Sequence, residues 1–182
     1  MTDIKLQDDT DGLALASKGE PPDIHRIPVR FEAHDLLIEV TADRTVEYIL
    51  TIIATDHALL IEDLYIVREG EDAPLACEQP IHDGHQRRHH VHRRQPVTVT
   101  VNYQAASHHR EFRRHGTLEA VLDWAIRVFD IDASMAGEFE LTRMGSTEEL
   151  PLSDHVGHLA GKHDAFALDL VRGDIANGGH HA

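Results

Sequence analysis

One stretch of this chain occurs twice. Residues 45–50 read TVEYIL and residues 117–122 read TLEAVL. In both, a threonine able to cap a helix is followed by a glutamate suited to the positive end of the helix dipole. Apolar residues then recur on one face: Val46, Ile49, Leu50 and Ile53 in the first copy, Leu118, Val121, Leu122, Ala125 and Val128 or Phe129 in the second. Downstream, YIVREGEDAPL over 65–75 matches ELTRMGSTEELPL over 140–152, with two extra residues in the second copy. A repeat of this kind predicts one supersecondary unit used twice. Each unit would hold about 70 residues, a size at which a single core is only just sufficient.

The segments around the helices alternate as strands do. RIPVRFE and LLIEV precede the first helix, and DLYIVREG, PLACEQPI and RRHHVHRR follow it. In the second copy PVTVTVNYQ and HHREFRRH come before the helix, and EFELTRMG, ELPL and DAFALDLV after it. A helix inserted after a hairpin and followed by short strands belongs to the α+β class, with the helix lying across one face of a mixed sheet. The last strand, with Phe166, Leu168 and Leu170 on one face, must then sit mid-sheet beside the first. Residues 1–25 are rich in Asp, Gly and Pro and read as a disordered tail. The expected divisions are 26–94 and 95–173 for the two domains and 174–182 for a flexible end.

Charge narrows the partners. The 182 residues carry 17 basic and 32 acidic side chains, a formal net charge of −15, which disfavours nucleic acid and anionic membranes. No apolar run approaches a membrane span, and the acidic start is unlike a secretory signal, so a cytoplasmic protein is expected. The single cysteine, Cys77, lies in an apolar stretch and reads as a buried structural thiol. There is no G-x-S-x-G, H-E-x-x-H or phosphate loop, so the chain reads as a substrate of enzymes and not as an enzyme, with no cofactor. His82, His85, His89, His90 and His92 lie close together, but with arginines crowding them and no thiolate nearby. They read as a solvated, pH-sensitive strand and linker in preference to a metal site.

The opening hairpin, the helix TLEAVLDWAIRVFDI and the run LPLSDHVGHLAGKHDAFALDLVRG resemble ubiquitin and the ubiquitin-like β-grasp modifiers. The resemblance covers residues 96–179 well and 26–94 more loosely. Two such domains in tandem are similar to the interferon-induced tandem ubiquitin-like modifier of animals and to the bacterial BilA-type modifiers of antiphage conjugation operons. The resemblance implies two tandem β-grasp domains and a protein modifier processed after Gly179. Its partners would be an E1-like activating enzyme, an E2-like conjugating enzyme, a deubiquitinase-type metalloprotease and target proteins, phage structural proteins among them. A sulfur carrier of the same fold, or a scaffold that is never conjugated, are the other functions open to such a chain.

Gly178 and Gly179 are the candidate conjugation and processing site. Without Cβ atoms they suit a tail threaded through a narrow crevice. His180, His181 and Ala182 would cap the carboxylate until removed, and Gly173 is a remote second end. Aligned on Gly145, the strand position of ubiquitin's main apolar contact is Thr142, and Asp169 stands where a valine would complete that patch. Thr142, Asp169 and Arg172 are therefore the candidate partner surface, polar where ubiquitin's is apolar. Lysine is scarce: Lys162 alone falls in an expected domain, Lys5 and Lys18 in the tail.

Overall fold

Alternation of apolar and polar residues builds the first sheet. In the computed structural model, which describes residues 23–81 and 87–173, Ile27, Val29 and Phe31 of β1 (Ile24–Phe31) are buried while Arg26 is exposed. The chain reverses at Glu32 and returns as β2 (His34–Thr41), with Ile27 opposite Ile38. The expected stripe of Val46, Ile49, Leu50 and Ile53 is buried on α1 (Val46–Asp56). β3 (Leu64–Arg68) and β4 (His89–Arg93) complete a sheet of order β2-β1-β4-β3, with β4 parallel to β1.

The second copy repeats this plan. β5 (Val97–Tyr103) and β6 (Ala106–Phe112) form the hairpin, α2 (Leu118–Val128) crosses the sheet, and β7 (Phe139–Arg143), a short α3 (Val156–Ala160) and β8 (Ala165–Arg172) follow. The order is β6-β5-β8-β7, so the last strand does lie mid-sheet, parallel to the first. Each sheet has its own core: Phe31, Leu50 and Ile66 lie in one, Leu118, Leu141 and Leu168 in the other. These are two tandem β-grasp domains. No helix among the described residues is long and apolar enough to cross a membrane.

The duplication extends to the backbone. Positive φ recurs at matched places: Glu32 and Gln104 in the hairpins, Ala58 and Asp130 after the helices, Gly70 and Gly145 after the third strands. Matched hydrogen bonds correct the sequence alignment. Leu75 N–H donates to Ile66 O as Leu150 does to Leu141, and Glu47 N–H to Cys77 O as Glu119 does to Leu152. Leu75 thus corresponds to Leu150 and Cys77 to Leu152, and the two extra residues vanish. The Pro-Leu that ends both stretches does not stand at equivalent positions, since Pro74 corresponds to Glu149.

Two expected strands are missing. PLACEQPI forms only isolated bridges, Pro74 with Val67 and Pro80 with Thr45, because proline has no N–H to extend a ladder. ELPL contributes one bridge, Glu149 with Thr142. Cys77 is half-buried at the edge of the first core and not fully enclosed. β1 begins at Ile24, ahead of the expected boundary, while residues 1–22 lie outside the described residues.

Candidate functional site

Gly178, Gly179 and the residues after them lie outside the described residues, as do His82 and His85. What the structure describes is the base of the tail. The Arg172 guanidinium is exposed and pairs with Glu138. Gly173 N–H donates to Glu138 O at 2.8 Å, which ties Gly173 to the sheet edge.

The candidate partner surface occupies the face of the second sheet opposite α2. Asn102, Asp169 and Thr142 sit in one cross-strand row. The Asp169 carboxylate accepts from Asn102 Nδ2 and from the backbone N–H of Gly145, both at 3.0 Å, and Ser107 Oγ donates to Asn102 Oδ1 at 2.9 Å. The row is a polar chain with its charge already engaged. Thr142 departs from expectation. It is 1% exposed, under the loop that returns through Glu149, and its hydroxyl has no partner. Its side chain therefore offers nothing to a binding protein.

The same face of the first sheet is occupied. Strand registers place Arg30, Tyr65, Val67, His90 and His92 where Asn102, Glu140, Thr142, Asp169 and Val171 stand in the second domain. Four of those five side chains touch the second domain. Arg30 Nη1 donates to Asp154 Oδ1 at 3.2 Å. The Tyr65 hydroxyl accepts from the His115 backbone N–H and lies 2.9 Å from His115 Nδ1. His90 Nδ1 is 2.9 Å from His158 Nε2, and His92 Nε2 is 2.9 Å from His155 Nδ1.

The solvated histidine strand expected from the sequence is thus a buried one. His90, His92 and His158 are 6%, 2% and 4% exposed. Strand β4 puts His90 and His92 on one face, and His155 and His158 stack one turn apart at the start of α3. A carbonyl can only accept, so the 2.9 Å contact of His158 Nδ1 with Glu32 O puts the His158 proton on Nδ1. His158 Nε2 is then a bare lone pair, and His90 Nδ1–H donates to it. Nitrogens of His90, His155 and His158 lie within 4.8 Å of one another. Burial, then mutual repulsion with other cationic groups, pushes His90 and His158 down to about 3. Burial likewise holds His155 below its ordinary value and His92 well below it. All four rings are neutral at pH 7.

Two further residues make this docking possible, and neither was singled out in the sequence. A Cβ on Gly157 would lie 2.6 Å from His92 Nδ1 and 2.9 Å from Arg114 O, so only glycine lets α3 come this close. Arg114 is buried, with Nε donating to Gln95 O, Nη1 to Gly161 O, and Nη2 to His163 O and Asp164 Oδ1 at 2.8–3.0 Å. It fastens the short connection between the domains to the α3–β8 turn. His155 and His158 escaped notice because their partners are 63 and 68 residues away.

Comparison with known proteins agrees with the topology. The family model described as BilA ubiquitin-like domain 2 matches residues 98–173. No curated protein matches the sequence. Among solved structures, the ubiquitin of Caldiarchaeum subterraneum is 14% identical, covering 44% of this chain and 98% of the other at a TM-score of 0.36. The N-terminal ubiquitin-like domain of the 4931431F19Rik protein is 14% identical, covering 43% and 75% at a TM-score of 0.35. Such distant neighbours carry no weight of their own, and the strand order and the family match decide. The chain is a tandem ubiquitin-like protein whose second domain is similar to the second ubiquitin-like domain of BilA.

Proposed function

We propose that this chain is a protein modifier, processed after Gly179 and joined through that residue to target proteins. One observation carries the reading: the domain that matches BilA ubiquitin-like domain 2 ends its central strand at Arg172, and the sequence GDIANGG follows at once. The six residues from 174 to 179 reach at most about 20 Å when extended, enough to enter a catalytic crevice without moving the fold.

The chemistry needs a free carboxylate. A Gly179 carboxylate oxygen attacks the α-phosphate of ATP and releases pyrophosphate. An enzyme thiolate then displaces AMP to form a thioester, and a target amine displaces the thiolate to leave an amide. The chain supplies the acyl group and no catalyst. Its cognate activating and conjugating enzymes and a deubiquitinase-type metalloprotease do the work, in antiphage defence as the resemblance to BilA-type modifiers implies. The engaged Asp169 row favours enzymes that read polar groups over those that grip an apolar patch.

The test is a reconstituted reaction with the cognate activating enzyme and ATP. A chain truncated after Gly179 is expected to form a thioester that survives denaturant but not reducing agent. The chain retaining His180, His181 and Ala182 should form none until cut. An equal rate from both chains would refute the processing step. Transfer of a single sulfur atom to Gly179, with no protein adduct, would replace the reading with a sulfur carrier.

A further inference from the structure

We propose that His90, His155 and His158 form a transition-metal site, best matched to zinc, and that its ion clamps the first ubiquitin-like domain to the second. The site lies apart from the C-terminal chemistry and does not depend on it.

Geometry carries the argument. Three imidazoles from two domains converge with ligand nitrogens within 4.8 Å of one another. Around a tetrahedral zinc with Zn–N near 2.05 Å, neighbouring nitrogens stand about 3.4 Å apart. His90 Nδ1 and His158 Nε2 are already 2.9 Å apart, so a small outward movement makes room for the ion. The ion would take the place of the proton now shared between them, with His90 carrying its own proton on Nε2 instead.

The supporting contacts are of the kind that orient metal ligands. Glu32 O holds the Nδ1 proton of His158 and points Nε2 inward. His92 engages Nδ1 of His155, which leaves Nε2 of that ring to serve as the ligand. The rings stay neutral at pH 7, the state in which imidazole binds metal. Three nitrogens without thiolate or carboxylate suit zinc, copper(II), nickel(II) or cobalt(II), and do not suit magnesium or calcium.

An entrance is present as well. A cleft of about 450 Å³ between the domains is lined by His90 and His155 together with Glu69, Glu71, Asp72 and Glu119. Glu71 is already paired with Arg68 and Arg87, while Glu69, Asp72 and Glu119 would draw a cation in, and the open side leaves a coordination position for water. Arg30 and Arg88 also line the cleft. Asp154 offsets the first, while Asp35 lies 3.8 Å from the second.

The experiment uses the full chain, stripped with a chelator and titrated with zinc chloride by calorimetry. One equivalent is expected to bind, and cobalt(II) should give the visible absorption of a four-coordinate site. His90→Gln and His158→Gln keep polar side chains of similar reach but are poor ligands. Each should weaken zinc binding by at least about 100-fold, while His109→Ala on the exposed face of β6 and Ala at His180 and His181 should leave it unchanged. In the parent chain, 15N NMR should show zinc-dependent shifts at His90, His155 and His158, a readout that does not require any variant to fold. Binding weaker than about 100 μM, binding that survives both Gln variants, or shifts confined to other histidines would overturn the proposal.

Discussion

At the scale of single residues, the duplication offers an internal control. Thr142 occupies the place that Val67 holds in the first domain, and both are buried. The valine leaves nothing unsatisfied, whereas the threonine hydroxyl has no partner. Thr142→Val is nearly isosteric and removes that orphan, so it should stabilise the second domain by about 1 kcal/mol. Chemical denaturation followed by Trp124 fluorescence checks this, because Trp124 packs on the second core against Phe112. A destabilised variant would mean that the hydroxyl has a partner after all. Local signals made both core stripes and the Thr117 cap legible in the sequence, whereas Thr45 stands at the start of α1 without a side-chain cap hydrogen bond. Thr142 was misjudged because its exposure depends on the Glu149 loop, which no local pattern announces.

At the scale of elements, β4 is the instructive case. The alternation in RRHHVHRR identified a strand correctly. Its polarity suggested a wet surface, and that inference failed because the surface is covered by α3 of the other domain. A polar face is buried when polar groups meet it, and the partner groups lie far along the chain. The consequence is measurable in chelator-treated protein. His90 and His158 titrate near 3 when docked and near 6.5 when exposed. Between those values the opened chain takes up protons that the docked chain does not. The stabilisation is therefore fully present above pH 6.5 and is lost as pH falls towards 3, at up to about 1.4 kcal/mol per pH unit for each histidine. Arg30 and Arg88 oppose protonation of His90, Arg30 opposes it at His158, and Asp154 and Glu69 favour it at His155. The unfolding midpoint should be clearly lower at pH 5 than at pH 7. A flat profile would mean that these rings are not held neutral by burial.

At the scale of the whole molecule, the two domains make a coupled pair. The connection between them is short and held: β4 ends at Arg93, β5 begins at Val97, and Arg114 grips the Gln95 carbonyl. The joint leaves no room for a side chain at Gly157, where a Cβ would lie 2.6 Å from His92 Nδ1 of the first domain, and Gly157 belongs to neither hydrophobic core. Gly157→Ala places a methyl group against His92 and the Arg114 carbonyl, and overpacking of this kind costs about 1–3 kcal/mol. Small-angle scattering should then report a longer particle, with the circular dichroism of both domains retained. An unchanged radius of gyration would show that the joint can absorb the methyl group.

Because the domains are copies, each brings the same sheet face to the molecule, and the first spends its face on the second. His90 is covered where Asp169, its counterpart, stays partly open. The pair is consequently polar in the sense of a chain of couplings: one socket filled from within, one left for the outside. In valency each chain carries two copies of the domain and one open face. A binding protein that reads this face of a ubiquitin-like domain should find one seat per chain, always on the domain nearer the C-terminal glycines, so that whatever docks there is delivered close to the tail.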